Sequence, residues 1–135
     1  MTQQPEIQIL LQQKLREMRE LTELSTLTAE LASAIDRKDD VSIKLTLAMR
    51  QEPLLRLEEI RTLIERWLAS LPQEKAIHMA ELLNGGEAET PEEKPLQQQI
   101  MANYRMMAQI QELDKRISLR SIGRHSFYLT YTAAE

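Results

Sequence analysis

Residues 7–35 read IQILLQQKLREMRELTELSTLTAELASAI and carry the strongest structural signal in the chain. Apolar side chains recur in this stretch at steps of three or four residues with a mean step of 3.5, the period of one face of an α-helix. The stretch contains neither glycine nor proline, the two residues that most disfavour helix. It therefore predicts one helix about 45 Å long, which needs an antiparallel neighbour to cover its apolar seam. The seam consists of Ile7, Leu11, Leu15, Met18, Leu21, Leu24, Leu27, Leu31 and Ile35.

A second helix is predicted after a short polar connection at residues 36–40. Asp39 or Asp40 can accept hydrogen bonds from the free N–H groups that open this helix. Its apolar positions run over residues 43–71. Pro53 lies in their middle and has no N–H group, so we expect a kink or a break in the helix there.

The connection to the last helix is acidic and contains two prolines. A short helix is predicted over residues 72–83, and the Asn-Gly-Gly sequence that follows is expected to end it. Residues 84–95 form an acidic linker that we expect to stay mobile. Two starts fit the last helix, because Thr90 and Glu93 have the spacing of a capping box, whereas Pro95 favours a start at its own position.

The last helix repeats the period of the first. Its apolar residues again step by three or four with a mean of 3.5, and Gly123 is expected to end it. Two long seams of equal period, joined through a kinked helix and a short one, predict an all-α fold. We expect a single domain over residues 1–135, built as an elongated, coiled-coil-like antiparallel helical bundle. The second seam consists of Leu96, Ile100, Tyr104, Met107, Ile110, Leu113 and Ile117.

The composition excludes several classes of protein. Seventeen Lys and Arg against 21 Asp and Glu give a net charge of −4, whereas general nucleic-acid binders carry a basic surplus. No stretch approaches about 18 consecutive apolar residues, so no membrane insertion is expected. The first residues lack the basic and apolar regions of a signal peptide, and there is no cysteine to form a disulfide or bind zinc. We expect a soluble, cytoplasmic protein without a bound metal.

Residues with catalytic potential are few and scattered. The chain has no glycine-rich phosphate loop, no His-Glu-x-x-His and no Gly-x-Ser-x-Gly sequence. His78 and His125 lie in different elements, and we interpret His78 as an ordinary surface or half-buried histidine. Glu58 and Glu59 alternate with arginines at spacings that suit ion pairs within one helix. The sequence therefore predicts neither an enzyme nor a cofactor site.

A cluster of methionines makes the last helix a candidate partner site. Met101, Met106 and Met107 surround Tyr104. Methionine is flexible and is over-used on grooves that accept a helix from a partner. Ordinary core packing is the alternative interpretation. Because Met106 lies beside Met107, however, the apolar stripe is wider than one seam, which favours a second contact surface.

The segment from Lys115 to Glu135 has a different composition. It holds four basic residues and no acidic residue before the last position, together with three aromatic side chains. Residues 124–135 are predicted to form an irregular aromatic tail. This tail either folds back on the bundle or acts as a hook that docks on a partner, and a nucleic-acid role is a third interpretation. Phe127 and Tyr128 are its candidate partner-binding residues.

The order of the helices resembles that of a known family. A long first helix ends at residues 35–40 (IDRKDD), and a charged helix containing residues 54–61 (LLRLEEIR) follows. A short helix and a long final helix complete the order. Over residues 7–122 the chain resembles the FlgN-type flagellar export chaperones, with the FliT-like chaperones as the nearest competitor. The family's last helix usually carries two asparagines three residues apart, and here Asn103 matches the first while Met106 stands at the second.

The resemblance implies a function in flagellum biogenesis. A chaperone of this kind serves flagellar type III secretion. It binds the aggregation-prone terminal helices of hook-associated subunits (FlgK- and FlgL-like), keeps them soluble and delivers them to the export apparatus. The alternative is a structural coiled-coil adaptor with a constitutive helical partner. A homodimer through the final helix is a further expectation when cargo is absent. The candidate partner-binding residues are Ile100, Met101, Tyr104, Met107, Ile110, Leu113, Ile117, Phe127 and Tyr128.

Overall fold

The computed structural model describes residues 5–121, which fold into four α-helices and one 3₁₀ turn, with no strand in that range. This confirms the all-α class and the predicted order of a long, a long, a short and a long helix. None of the described helices is long and apolar enough to cross a membrane. The elements are α1 (Pro5–Arg37), α2 (Asp40–Ala69), α3 (Gln73–Leu83), the 3₁₀ turn (Pro91–Glu93) and α4 (Lys94–Ser121).

Helix α1 is the central element, because it packs along both α2 and α4. Three apolar clusters follow one another along its length. The cluster at the start of α1 contains Ile64 of α2 and Ile100 of α4, whereas the cluster at its end contains Ile43 of α2 and Ile117 of α4. Residue numbers in α2 therefore fall along α1 while those in α4 rise. It follows that α2 runs antiparallel to α1 and that α4 runs parallel to it.

The short helix α3 closes one end of this bundle. Met79 and Leu82 belong to the apolar cluster at the start of α1. The Nζ atom of Lys75 lies 3.0 Å from Oε2 of Glu6, which ties α3 to the first turn of α1. The helix ends at Leu83, and Gly85 two residues later has a φ of 94°, in the left-handed region that glycine adopts without steric cost.

Helix α2 continues without a break from Asp40 to Ala69, although Pro53 lies inside it. Of the two outcomes expected at Pro53, the break does not occur. The ring is buried against the bundle, so packing of the neighbouring turns compensates for the single missing backbone hydrogen bond. The predicted cap at the start of the helix is confirmed, since the Asp39 carboxylate accepts a hydrogen bond from the backbone N–H of Ser42 at 3.1 Å.

The start of α4 differs from both sequence-based alternatives. The helix begins at Lys94, one residue before Pro95, and the 3₁₀ turn directly precedes it. The capping box does not form, because Thr90 makes no side-chain cap hydrogen bond and Glu93 instead accepts one from the backbone N–H of Glu89. Residues 91–95 of the predicted linker are thus helical. The predicted stop at Gly123 lies outside the described residues.

Candidate protein-binding surface

Three of the candidate partner-binding residues are part of the hydrophobic core. Ile100, Ile110 and Ile117 are 1–2% exposed, and each belongs to a different one of the three apolar clusters. Their side chains contact α1 and α2 and are not available to a partner in this conformation. The isoleucines of the α4 seam therefore pack this helix against α1 and α2.

Two other residues of the same set lie on the surface of α4. Met101 is 45% exposed and Tyr104 is 51% exposed, and the Tyr104 hydroxyl donates a hydrogen bond of 2.5 Å to the backbone carbonyl of Leu83. Met107 and Leu113 are half-buried at the edges of two core clusters. The structure therefore divides the predicted site into a buried and an exposed part. Phe127 and Tyr128 lie outside the described residues.

A longer exposed apolar surface lies on α2. Val41, Leu45 and Leu55 are 78%, 59% and 61% exposed, which is far above the exposure of the core leucines. At 100° per residue these side chains and Leu63 lie within about 80° of one another, and Met49 flanks them on one side. We call this surface the α2 row, and it consists of Val41, Leu45, Met49, Leu55 and Leu63.

The α2 row lies on the side of the helix that faces away from the bundle. The side opposite Val41 and Leu45 carries Ile43 and Leu47, which are at most 5% exposed. Helix α2 thus carries apolar side chains on two faces. The bundle covers one face, and on the other the apolar side chains alternate with the exposed carboxylates of Glu52 and Glu59. An exposed apolar stripe of this length is typical of a surface that binds another protein.

Charges of both signs lie beside the α2 row. Asp40 and Lys44 are exposed in its first half, and Lys44 has no ion-pair partner among residues 5–121. The second half is flanked by Glu52, Glu58, Glu59 and Glu65 and also by Arg56, Arg61 and Arg66. Two of these arginines pair with glutamates of the same helix, Arg56 with Glu52 and Arg61 with Glu58. Acidic and basic side chains are therefore mixed along the row.

A buried ion pair joins α2 to α4. The Nη2 atom of Arg50 lies 3.0 Å from Oδ2 of Asp114, and both side chains are almost fully buried. Burial raises the pKa of the Asp114 carboxyl, and the charge of Arg50 opposes this effect. Because the pair is buried and joins residues of two helices, we interpret it as a contact that aligns α2 with α4.

A second buried polar contact joins α4 to α1. The Nδ2 atom of Asn103 donates to the backbone carbonyl of Lys14 at 2.8 Å and to Oε1 of Glu17 at 2.7 Å. The asparagine that matches the first of the family's usual pair therefore has a structural role here. Sequence reasoning identified neither this contact nor the Arg50–Asp114 pair, because buried polar residues have no periodic signature.

His78 and Glu93 form a polar contact at the end of the bundle. Their Nε2 and Oε2 atoms are 2.7 Å apart, and the Glu93 side chain is 3% exposed. The hydrogen bond to Glu93 raises the pKa of His78 above its usual value. Burial acts to raise the pKa of Glu93, but the hydrogen bonds from the Glu89 N–H and from His78 outweigh it and lower the pKa.

This contact borders a shallow cavity that is also lined by Glu81, Glu87 and Glu89. Despite the number of carboxylates, no group of three or more such side chains within residues 5–121 is arranged to hold a metal ion. The interpretation of His78 as a half-buried histidine agrees with its 27% side-chain exposure. What the contact does is fasten the segment before α4 onto α3.

Comparison of the chain with protein-family models, with curated proteins and with solved structures finds no match in any of the three. A functional assignment therefore has two sources, the surface described above and the resemblance of the helical pattern to the export chaperones. Within residues 5–121, α2 carries more exposed large apolar side chains than any other helix. In the sequence, Val41, Leu45 and Met49 form a second set of apolar residues at helical spacing. Spacing alone does not tell which of two such sets the fold covers.

Proposed function

We propose that this chain is a cytoplasmic protein-binding chaperone of flagellar type III export, which holds an amphipathic helix of a hook-associated subunit against the α2 row. The observation that carries the proposal is an exposed apolar row on a helix whose other face already forms the core. The resemblance to FlgN-type chaperones supports the proposed class of cargo, and the exposure of the row supports the proposed place of binding.

The dimensions of the row suit a helical cargo. Val41 and Leu63 are separated by 22 residues of continuous helix, which corresponds to about 33 Å, or six turns. A terminal helix that forms a coiled coil only in the assembled filament exposes a stripe of similar shape beforehand. Side-by-side packing of two helices would remove both stripes from water, so the cargo stays soluble while it is bound.

Release during export requires a moderate affinity. The α2 row offers five apolar side chains, one of them a flexible methionine, and contains no aromatic anchor. Tryptophan, tyrosine and arginine dominate the tightest interfaces, so their absence from the row favours a contact that is readily reversed. Met101 and Tyr104 on α4 are a secondary contact for cargo or for the export apparatus.

The first test is direct binding of a purified FlgK- or FlgL-like subunit from the same organism to the full-length chain. Leu45→Glu and Leu55→Glu should weaken binding at least tenfold, because each places a charge in the centre of the apolar contact. Leu119→Glu is the matched control, since Leu119 is an exposed leucine on α4 outside the row. It should bind as the unmodified chain does.

The outcomes separate the alternatives. Equal binding by the Leu45, Leu55 and Leu119 variants would refute the assignment of the row, and loss in Met101→Glu alone would move the site to α4. Binding of no flagellar subunit, together with a partner that stays bound throughout purification, would favour the structural adaptor. Truncation after Leu83 is unsuitable as a test, because it removes Ile100, Ile110 and Ile117 from the core.

A further inference from the structure

We propose that residues 122–135 fold back and pack along the boundary between α2 and α4. The inference does not depend on the proposed function, since it concerns contacts within one chain. It favours packing on the bundle over the other interpretations of the aromatic tail. Its basis is a buried carboxylate oxygen for which residues 5–121 supply no donor, together with the place where α4 ends.

Helices α2 and α4 meet through a few side chains. Each helix packs along α1, whereas direct contacts between α2 and α4 are few. Arg50 and Asp114 nevertheless bridge them. Leu54, four residues after Arg50, and Met107, seven residues before Asp114, lie on the same sides of their helices and are only half-buried. We call these four residues the α2–α4 boundary, and its apolar members have surface left for a further segment.

One oxygen of Asp114 has no hydrogen-bond donor among the described residues. Its Oδ2 atom contacts Arg50, whereas its Oδ1 atom is buried and unpaired within residues 5–121. Asp114 is only 5% exposed. Buried carboxylate oxygens are almost always hydrogen-bonded, because the lost contact with water is otherwise not replaced. A donor is therefore expected from a part of the chain outside the described range.

The end of α4 places residues 122–135 close to this oxygen. The Nη1 atom of Arg120 lies 2.6 Å from Oδ1 of Asp36, so α4 ends beside the connection from α1 to α2. Asp114 precedes Ser121 by seven residues, which is about 10 Å along the helix. The tail therefore starts within two turns of the Asp114 carboxylate.

The tail is also long enough to return along α4. Its 14 residues span up to about 46 Å when extended, and Gly123 gives the chain the conformational freedom to reverse. Residues 1–4 are the other part of the chain outside the described range. They precede α1 at the opposite end of the bundle and span at most about 14 Å, so they do not reach Asp114.

Residues 126–131 have a pattern that suits this boundary. They read SFYLTY, in which hydroxyl side chains at 126, 128 and 130 alternate with apolar or aromatic ones. Alternation with a period of two is typical of an extended segment with one covered face. In this arrangement Phe127 and Leu129 cover Leu54 and Met107, and a backbone N–H of the extended tail points sideways to Asp114.

The arrangement assigns Phe127 and Tyr128 to the bundle rather than to a partner. It leaves the α2 row open, because the row lies on the side of α2 that faces away from the bundle. A partner on the row and the tail on the boundary can therefore be bound at the same time.

The test is disulfide formation within the full-length chain, which has no cysteine of its own. Tyr128→Cys is combined with Gln111→Cys or, as the matched control, with Gln109→Cys. Both glutamines are exposed on α4, but Gln111 lies about 60° around the helix from Asp114 and Gln109 about 140°. A tail free in solution should bridge to either position at similar rates, since both are nearly equally far along the chain. A packed tail should bridge to position 111 about tenfold faster.

A further substitution tests the apolar contact. Adding Phe127→Asp to the Gln111 pair should lower its rate to that of the control, because it places a charge against apolar side chains and near Asp114. An unchanged rate would overturn the assignment of Phe127 to the boundary. Hydrogen exchange of the unmodified chain should be slowed at residues 126–131.

The remaining outcomes count against the proposal. Equal rates for the two pairs, or a faster rate for the Gln109 pair, would overturn it. A disulfide that joins two chains in dilute solution would do the same, since the tail would then lie on a second copy. Exchange of residues 126–131 at the rate of an unstructured peptide would contradict it independently of any substitution.

Discussion

His78 and Glu93 show how two side chains determine the shape of one end of the molecule. Glu93 accepts hydrogen bonds from the Glu89 backbone and contacts His78 on α3, so the segment before α4 is fixed at both of its ends. Sequence spacing suggested a capping box for Glu93. The carboxylate instead reaches a histidine 15 residues earlier, because the fold brings α3 beside the start of α4.

This contact predicts a specific dependence of stability on pH. A histidine whose pKa is raised by folding stabilises the fold fully below its ordinary pKa of 6.5, and this contribution is lost as the pH rises through the raised value. For Glu93, whose pKa is lowered, the contribution is present above 4.5 and is lost as the pH falls through the lowered value. The contact should therefore stabilise most between these two ordinary values.

Urea unfolding of the unmodified chain and of His78→Gln, from about pH 5.5 to pH 9, measures this effect. The free energy of unfolding of the unmodified chain should fall above pH 6.5 relative to that of the variant. The difference between the two chains should shrink towards high pH, where His78 is neutral. Parallel pH profiles would show that the charged form of His78 makes no contribution.

At the scale of the element, α2 is the helix in which one sequence serves two surfaces. One face packs on α1, and the α2 row lies on the other. Both faces carry leucines at helical spacing, but Ile43, Ile60 and Ile64 are buried on the core side, whereas Glu52 and Glu59 lie on the exposed side. Whether a leucine of this helix is buried therefore depends on what the rest of the chain places beside it.

Two substitutions in this helix should distinguish its faces. Ile60 is 1% exposed, so Ile60→Ala should destabilise the fold by about 3 kcal/mol through lost burial and a cavity. Leu55 is 61% exposed, and Leu55→Ala should change the free energy of unfolding by less than about 0.5 kcal/mol. Urea unfolding at low micromolar protein gives both values. Equal effects would contradict the assignment of the core face.

At the scale of the whole molecule, three long helices are aligned by a small number of polar contacts inside an aliphatic core. Apolar seams of regular period can slide by one turn at little cost, because each isoleucine or leucine finds a similar neighbour. The Arg50–Asp114 pair has no equivalent position one turn away. Together with the contact between Asn103 and Lys14, it specifies one alignment of α4 against its neighbours.

Removal of one partner of the buried pair should therefore be costly. Asp114→Leu leaves the Arg50 guanidinium without its carboxylate, and we expect a loss of about 3 kcal/mol in the free energy of unfolding. The double variant Arg50→Met, Asp114→Leu should recover most of this loss, since it replaces both charges by apolar side chains of similar size. Calorimetry of the three chains tests the prediction. A double variant as unstable as the single one would show that the pair contributes net stability.

The sequence alone predicted the all-α class, the four helices and a cap at Asp39 or Asp40, because helical period and capping depend on residues close together in the chain. It also drew attention to Met101 and Tyr104, which lie on the surface. It placed Ile100, Ile110 and Ile117 in the candidate binding site, where the structure buries them. The period that made these residues look like a binding stripe is the same period that a core-facing helix requires.

Local sequence thus determined which segments are helical and which of their residues are apolar. Only the tertiary structure decided which apolar face is covered, since that depends on contacts between residues far apart in the chain. It buried the seam of α4, left the α2 row open, and joined Arg50 to Asp114 across 64 positions of sequence. The physical reason is that burial is a property of the assembled bundle. A helix with two apolar faces carries no local signal of which face its neighbours will occupy.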